Sequence, residues 1–161
     1  SIAENFGVEN TLVLTPGNYG VEFSKNEMGL DHCVKISNFI GKSLKYAYKL
    51  GFRKFYLIGH VGKFSKLSLG AFNTHNEVAD LRMEAFVYYL ALEGVEIETL
   101  KEVMEYISAE EGTEYLISKG LGGIIKKMES GAEERIRKYL KDENIEIKVQ
   151  MYSMKRGVEF D

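Results

Sequence analysis

The sequence predicts an α/β fold, a three-layer domain with a small, mostly parallel sheet of about four strands and extra C-terminal helices. A short, continuously apolar segment at residues 11–14 is typical of a strand that is covered on both faces, and the hydrophobic segment KFYLI at residues 54–58 predicts another strand. An amphipathic segment at residues 39–50 lies between them and has helical periodicity. Residues 99–142 are rich in charged residues and have helical patterns, which predicts additional helices after the first three strands. Because the connections between strands are long, we expect neighbouring strands to be parallel.

The chain has 161 residues, which is enough for one well-packed domain. Its residues are 45% hydrophobic and 28% charged, which is ordinary for a globular protein. No linker rich in Ser, Gly and Pro divides the chain, so we expect residues 1–161 to form a single α/β domain. The sequence starts at Ser1 with a short amphipathic stretch that resembles the tail of a helix, and we therefore expect a longer polypeptide.

Charge and cysteine content limit the classes of partner. The formal net charge is −3 at pH 7, so overall electrostatics do not favour nucleic acid or an anionic membrane as a partner. Any anionic ligand must therefore be bound by local lysines. No apolar run approaches the ~20 residues that a membrane-spanning helix needs. Cys33 is the single cysteine and cannot form an internal disulfide, which is typical of the reducing cytoplasm and predicts a cytoplasmic location.

The first predicted strand is TLVL, residues 11–14. The segment TPGNYG, residues 15–20, contains a proline and two glycines and predicts a tight, exposed turn. A second strand, HCVKI, is predicted at residues 32–36. It is followed by Ser37 and Asn38, either of which is suited to cap the next helix.

That next helix is predicted over residues 39–50, with Lys49 in its last turn and Gly51 just beyond as a C-terminal stop. Its predicted buried face consists of Phe39, Ile40, Leu44, Ala47 and Tyr48. The third strand, RKFYLIG, is predicted at residues 53–59, and a helical stretch follows at residues 63–72.

A further helix is predicted over residues 75–93. Thr74 and Glu77 have the spacing of a capping box, which places the helix start near residue 75. Its predicted buried face consists of Val78, Leu81, Ala85, Tyr89 and Leu92. Asp80 and Glu84 are one turn apart and are expected on another face, which in most helices is simply solvated.

The C-terminal third is predicted to serve packing rather than chemistry. Capping-box spacings in residues 99–142 predict three helices, begun by Thr99/Glu102, Ser108/Glu111 and Ser130/Glu133. Glycines are expected to interrupt the region at Gly112, Gly120, Gly122, Gly123 and Gly131. The last strand, residues 145–152, alternates apolar and polar side chains, and this pattern favours an edge strand.

Polar loops follow three successive predicted strands, at residues 15–20, 37–38 and 59–63. The carboxyl ends of parallel strands meet at one edge of a sheet, so we expect these loops to converge there on a ligand. Glycines allow the backbone to come close to a ligand, and the backbone N–H groups at helix N-termini favour the binding of anions. The alternative is an ordinary connection with a solvated lysine face.

Two kinds of site are disfavoured by spacing. GHVGK, residues 59–63, has only two residues between its glycines and is followed by Phe64, so it does not match a P-loop. The spacing of the three histidines matches no zinc motif, and we predict no bound metal. The histidines are His32, His60 and His75.

Three ordered motifs resemble the cobalt-precorrin-5B C(1)-methyltransferase family of the CbiD type. They are TPGNYG, VKISNFIGKSL and GHVGKFSKL…NTHNEVADLRME, which together span residues 15–84, and the similarity continues more loosely to the C-terminus. Members of that family are about twice as long as this chain. The chain resembles their C-terminal portion, so the resemblance implies that an N-terminal domain of the same polypeptide is missing here.

The resemblance implies transfer of a methyl group from S-adenosylmethionine to ring carbon 1 of an anionic cobalt-corrinoid, in anaerobic cobalamin biosynthesis. The residue roles are our interpretation. His60 and His75 are predicted to be catalytic. The predicted cofactor-binding residues are Gly17, Asn18, Gly20, Gly59, Gly62, Asp80 and Glu84. The predicted substrate-binding residues are Lys35, Ser37, Asn38, Lys63, Lys66, Asn73, Thr74 and Arg82.

Two other functional hypotheses remain open at the level of sequence. The chain is alternatively a non-catalytic domain that binds the tetrapyrrole or docks a partner of the pathway. It is alternatively a nucleotide-binding α/β enzyme of another class. The sequence also leaves a homo-oligomer open.

Overall fold

The computed structural model describes residues 11–29, 33–78 and 80–161. The elements in these residues are, in chain order, β1 (Leu12–Thr15), α1 (Asn18–Met28), β2 (Val34–Lys35), α2 (Ile40–Lys49), β3 (Lys54–His60), α3 (Val61–Ser68), α4 (Arg82–Leu92), α5 (Ile97–Met104), α6 (Ala109–Ser118), α7 (Ile124–Leu140) and β4 (Glu146–Tyr152). The predicted helix tail in residues 1–10 lies outside the described residues, as does His32. No helix of the described ranges combines the length and apolarity needed to cross a membrane.

The sheet has the strand order β2-β1-β3-β4, and all of its pairings are parallel. β3 is central and pairs with β1 on one side, where Leu12 lies opposite Phe55, and with β4 on the other, where Tyr152 lies opposite His60. The predicted α/β class and the predicted edge position of the last strand are both confirmed. Because every pairing is parallel, the carboxyl ends of all four strands lie along one edge.

The two faces of the sheet are covered by different helices. Side chains such as Leu57 and Val149 face a large core that includes apolar residues of α2 to α7. Val13, Ile58 and Tyr152 face the other way and pack with Phe23 of α1 in a smaller cluster. This arrangement gives the three layers that the sequence predicts, with α1 as one outer layer within the described ranges.

The segment after β1 is a strand-to-helix junction and not the predicted tight, exposed turn. α1 begins at Asn18, and both Pro16 and Gly20 are buried. Gly20 is required for the junction because a Cβ atom there would lie 1.9 Å from the Thr15 hydroxyl oxygen. The prediction was wrong because a turn and a helix start share the same Pro, Gly and Asn signals.

The helix α2 agrees with its predicted bounds, and Gly51 follows it with a left-handed φ of 101°. The predicted cap is wrong, since Phe39 precedes the helix and provides no side-chain cap. Ser37 has a left-handed φ of 54°, and the side chain of Asn38 is occupied by tertiary contacts described below. Phe39, which was assigned to the buried face, is 51% exposed.

The helix predicted over residues 75–93 begins only at Arg82, as α4. The Thr74 hydroxyl donates to the Asn38 side chain instead of capping a helix. Asp80 therefore precedes the helix and does not share a helix face with Glu84. Two of the residues assigned to the buried face, Val78 and Leu92, are exposed. A tertiary hydrogen bond has here replaced the local cap that the sequence indicated.

One of the three predicted C-terminal helix caps is confirmed. Ser108 caps α6 by accepting the backbone N–H of Glu111. Thr99 and Ser130 instead lie inside α5 and α7, so these two predictions were wrong. α7 continues through Gly131 without interruption.

Candidate functional site

A cleft of about 180 Å³ lies at the carboxyl edge of the sheet. It is lined by Thr15, Pro16, Gly17, Tyr19, Gly20, His60, Lys63, Tyr152 and Met154. These residues come from the ends of β1, β3 and β4 and from the first turns of α1 and α3. Of the three polar loops that were expected to converge, those at residues 15–20 and 59–63 line the cleft. The loop at residues 37–38 does not line it, although Asn38 contacts Lys63.

One wall of the cleft is aromatic. The buried ring of Tyr152 stacks on Phe23, with 4.4 Å between ring centroids, and on Tyr19, with 5.6 Å. The His60 ring meets Tyr152 edge-on at 5.7 Å. Burial raises the pKa of Tyr152 to about 12, so its phenol is neutral near pH 7. The wall thus presents flat, uncharged surface to the cleft.

Two lysines at this edge are held by neutral partners. Lys35 Nζ donates to Asn18 Oδ1 at 2.9 Å, and Lys63 Nζ donates to Asn38 Oδ1 at 2.8 Å. Burial lowers the pKa of Lys63. Within the described ranges neither ammonium group forms an ion pair with a carboxylate, so both positive charges are unpaired at this edge. Such a surface favours an anionic ligand.

Lys66 has a different position from the one expected of a substrate-binding residue. It is only 1% exposed, and its Nζ donates to the Thr74 carbonyl at 3.0 Å and to the Asn76 side chain. Burial lowers the pKa of Lys66, and the nearby Asp80 carboxylate partly opposes that shift. Lys66 therefore fixes the loop before α4 from the inside.

Asn38 connects this loop to the cleft. Its side-chain oxygen accepts from both Lys63 and the Thr74 hydroxyl, and its carbonyl accepts the Thr74 N–H at 3.2 Å. Asn73 forms an isolated bridge with Phe39. Ser37 is exposed, and the hydrogen bonds of this network do not include it.

His60 joins the end of β3 to two helices. Its Nδ1 accepts the Gly62 N–H at 3.0 Å and so caps α3, and its Nε2 lies 2.7 Å from Glu110 Oε1. Because Nδ1 is an acceptor, the neutral ring carries its proton on Nε2 and donates it to Glu110. Glu110 also accepts the backbone N–H of Met154. Both ring nitrogens of His60 are thus engaged by the protein, which favours a positioning role.

His75 lies in the loop before α4 and is exposed. Its Nδ1 accepts the Glu77 N–H at 3.2 Å, and its own N–H donates to Asn73 Oδ1. His75 does not line the cleft that contains His60. Its predicted catalytic role stays a prediction.

The glycines predicted to bind a cofactor have two distinct roles in the structure. Gly17 and Gly20 line the cleft. Gly59 and Gly62 do not line it. A Cβ on Gly59 would lie 2.4 Å from the Phe64 ring, so that glycine serves internal packing.

A separate concavity of about 260 Å³ contains three other predicted residues, Asp80, Arg82 and Glu84. Arg82 Nε donates to Asp80 Oδ1 at 2.9 Å, and this hydrogen bond holds the pKa of Asp80 below its ordinary value. Arg82 is therefore already neutralised by a neighbouring carboxylate. The structure does not bring these three residues into the lining of the first cleft.

Sequence reasoning missed several residues of the cleft. Thr15 and Tyr152 end strands, and this position was the signal that could have identified them, whereas Tyr19 lies in the first turn of α1. Glu110 lies in the C-terminal region that was assigned to packing, and no sequence signal connects it with His60. Only the packing of α6 against α3 brings the two together.

Comparison with known proteins adds independent information. The family model described as "CbiD, C-terminal domain" matches residues 73–160, which is more than half of the chain. A cobalt-precorrin-5B C(1)-methyltransferase of Alkaliphilus oremlandii is 55% identical over 98% of this chain and 44% of its own length. The protein of the same name from Treponema denticola is 53% identical over 91% of this chain and 41% of its own length.

A more distant relative of that name, from Clostridioides difficile, is 35% identical over 91% of this chain and 37% of its own length. This chain thus spans less than half the length of these curated relatives. No solved structure matches it.

Proposed function

The chain belongs to the CbiD family, and on that premise we propose that it is the C-terminal domain of an enzyme that methylates ring carbon 1 of cobalt-precorrin-5B. The observation that supports a site in this chain is the cleft, where polar ends of the parallel strands meet and lysines have only neutral partners. The proposed pathway is the anaerobic synthesis of cobalamin. The proposed domain comprises residues 1–161, and the greater length of the relatives supports a longer polypeptide.

The residues of the cleft fit S-adenosylmethionine as the methyl donor. The Tyr19 ring is 47% exposed and stacks on Tyr152, so it offers a face to an adenine ring. A Cβ on Gly17 would meet nothing within 4 Å, so the backbone there is open to a ligand. When bound, S-adenosylmethionine supplies an electrophilic methyl group on a positively charged sulfur.

The chain's own contribution is positioning. The acceptor carbon belongs to an electron-rich ring, so the protein does not need to provide a nucleophile. Holding two reacting atoms in line is worth several kcal/mol in well-oriented reactions. We propose that Lys35 and Lys63 bind carboxylate side chains of the corrin ring, and that His60 and Glu110 fix the cleft between α3 and the end of β4.

Lys63→Ala tests the substrate-binding role. We expect affinity for cobyrinic acid, a corrin with free carboxylates, to fall about tenfold in the full-length protein, as expected for one lost charged hydrogen bond. Isothermal titration calorimetry measures the effect. Lys138→Ala is the matched control, because Lys138 is exposed near the start of β4, at the opposite edge of the sheet. Unchanged affinity of the Lys63 variant would reject the role.

A second candidate is a binding domain without activity of its own, and the short coverage of the relatives favours it. Methyl transfer by residues 1–161 is to be compared with transfer by the full-length protein, with binding of S-adenosylhomocysteine measured for both. Binding without transfer by the shorter chain would support this candidate. Transfer by the shorter chain at the full-length rate would exclude it.

We also propose a cytoplasmic location, which is supported by the free, partly buried Cys33. Cell fractionation with an antibody tests it.

A further inference from the structure

We propose that the first turn of α1 and the hydroxyl of Thr15 form a carboxylate-binding site in the cleft, flanked by Lys35 and Lys63. The inference rests on the proposed function for the source of the carboxylate. That source is either the amino-acid end of an S-adenosyl ligand or an acetate or propionate side chain of the corrin ring.

The Thr15 side chain provides the first argument. The residue is fully buried, and its hydroxyl oxygen has no hydrogen-bond partner in the described part of the chain. A buried, unpaired hydroxyl destabilises a fold, so a ligand in the cleft that supplied the missing hydrogen bond would be favoured. Thr15 lines the cleft, and its oxygen lies against Gly20 in the first turn of α1. The unpaired hydroxyl and the first turn of α1 therefore lie side by side at the wall of the cleft.

The N-terminus of α1 provides the second argument. This helix has eleven residues and begins after Gly17, which has no side chain to cap it, and no other side chain of the described ranges caps it. The first-turn N–H groups of a helix lack internal partners and carry partial positive charge. Gly17 itself lines the cleft in an extended conformation, with φ at −149°. A carboxylate would satisfy these donors.

The surrounding charges select an anion. Lys35 and Lys63 contact only side-chain amide oxygens in the structure, so their charge remains available. Glu110 keeps its negative charge, because the neutral His60 ring and the Met154 N–H are its donors, but it does not line the cleft and the two lysines outnumber it. This field attracts a carboxylate and disfavours the positively charged sulfur of the methyl donor at the same position.

Thr15→Val is the principal test, because valine keeps the shape of threonine and removes the hydroxyl. We expect about tenfold weaker binding of the carboxylate ligand, while thermal stability is equal or higher because an unpaired hydroxyl is gone. Thr113→Val is the matched control. Thr113 is also fully buried with an unpaired hydroxyl among the described residues, but it lies in α6 outside the cleft.

Gly17→Asp is a second test with effects of opposite sign. A Cβ at Gly17 has no neighbour within 4 Å, so the side chain is tolerated, and aspartate is a favourable helix cap. We expect higher stability and at least tenfold weaker binding, because the new carboxylate occupies the site. Gly17→Asn provides a neutral cap of the same shape and is expected to weaken binding less.

Calorimetry with the full-length protein distinguishes the two sources. If the site binds the cofactor, Thr15→Val lowers the affinity for S-adenosylhomocysteine. The affinity for 5′-methylthioadenosine, which lacks the amino-acid end, is then unchanged. If the site binds the corrin, Thr15→Val lowers the affinity for cobyrinic acid. The affinity for dicyanocobinamide, whose carboxylates are amidated, is then unchanged. Either pattern supports the site.

Failure of the inference is distinguishable from failure of the proposed function. The carboxylate site is refuted and the function stands if Thr15→Val and Gly17→Asp bind S-adenosylhomocysteine and cobyrinic acid with the same affinity as the unaltered protein. If the unaltered protein binds neither, the function fails. Sodium acetate at tens of millimolar, against sodium chloride of equal ionic strength, then tests the site alone. A thermal shift in the unaltered and Thr113→Val proteins but not in Thr15→Val supports it, and equal shifts in all three refute it.

Discussion

His60 illustrates how one residue of the site combines structural and positioning roles. Its ring nitrogen Nδ1 caps α3, and its Nε2 contacts Glu110 of α6, which in turn accepts the N–H of Met154 just after β4. The ring therefore fixes the relative positions of two helices and the end of a strand. A general acid or base in this position would first have to exchange one of these partners.

Substitution of His60 separates the two roles. We expect His60→Ala to lower the free energy of unfolding by about 1 kcal/mol through loss of the helix cap, whereas His60→Asn keeps a capping side chain and loses less. Urea denaturation measures both. With the full-length protein, His60→Asn is expected to retain most of kcat. A fall in kcat of more than a hundredfold, with stability retained, would instead indicate direct catalysis by the ring.

At the scale of elements, α7 protects the exposed edge of β4. The Glu133 side chain accepts the backbone N–H of Val149 at 3.1 Å, and Glu129 accepts that of Met151 at 2.6 Å. Unpaired N–H groups at a sheet edge invite pairing with another chain, and the two carboxylates satisfy them. Burial raises the pKa of Glu129 to about 7 and outweighs the opposing hydrogen bond from Met151.

This raised pKa predicts a pH dependence of stability. The pKa of Glu129 is higher in the folded state than its ordinary value of 4.5, so its stabilising contribution is present below pH 4.5 and is lost as pH rises through 7. We expect Glu129→Gln to be more stable than the unaltered protein at pH 8 by roughly 1–2 kcal/mol, allowing for solvent screening, and similar at pH 4.

Denaturant titrations at several pH values measure this difference. Glu134→Gln, an exposed substitution on the same helix, controls for the loss of one charge. A difference between the Glu129 variant and the unaltered protein that does not change with pH would contradict the prediction.

Helix α7 also shows why a glycine can be required inside a helix. Ala is normally about 1 kcal/mol better than Gly in a helix interior. At Gly131, however, a Cβ would lie 1.9 Å from the hydroxyl oxygen of Tyr89, which donates to the Ser68 carbonyl at 2.7 Å. The close approach of α4 to α7 therefore depends on this glycine.

We expect Gly131→Ala to lower the free energy of unfolding by about 1–3 kcal/mol, because the added methyl group displaces Tyr89. Thermal and urea denaturation measure the change. In a Tyr89→Phe background the penalty of Gly131→Ala should shrink, because the clashing oxygen is absent. Stabilisation by Gly131→Ala in the unaltered background would show that helix propensity dominates and would refute this account.

At the scale of the whole molecule, one continuous core connects the sheet with α2 to α7. The smaller cluster under α1 is joined to it through the strands themselves, since Val13 and Leu14 are neighbours in β1. No division of the core into separate units is evident among the described residues. We predict on this basis that the chain behaves as a single cooperative unit.

We therefore expect residues 1–161 to unfold in one transition. Far-UV circular dichroism and tyrosine fluorescence should give coincident urea curves, and the chain contains no tryptophan to complicate the fluorescence. Curves with different midpoints would show that α1 and its cluster unfold separately, and the single-domain prediction would then be wrong.

Much of the architecture could be predicted from local signals. The apolar run at residues 11–14 and the hydrophobic segment within residues 53–59 predicted two strands, and the alternation in residues 145–152 predicted an edge strand. The Ser108 cap was also identified correctly. The errors arose where a tertiary contact replaced a local one. The Thr74 hydroxyl bonds to Asn38 instead of starting a helix, so α4 begins later than its sequence pattern indicates.

The sequence by itself determined that polar loops end parallel strands at one edge, because strand polarity and long connections leave little freedom in that respect. Only the tertiary structure decided which of those loops line a common cleft. It separated Asp80, Arg82 and Glu84 from His60 and Lys63, and it added the distant residues Tyr152 and Glu110. The physical reason is that periodicity and spacing report local geometry, whereas the neighbours across a cleft depend on how helices pack onto the sheet.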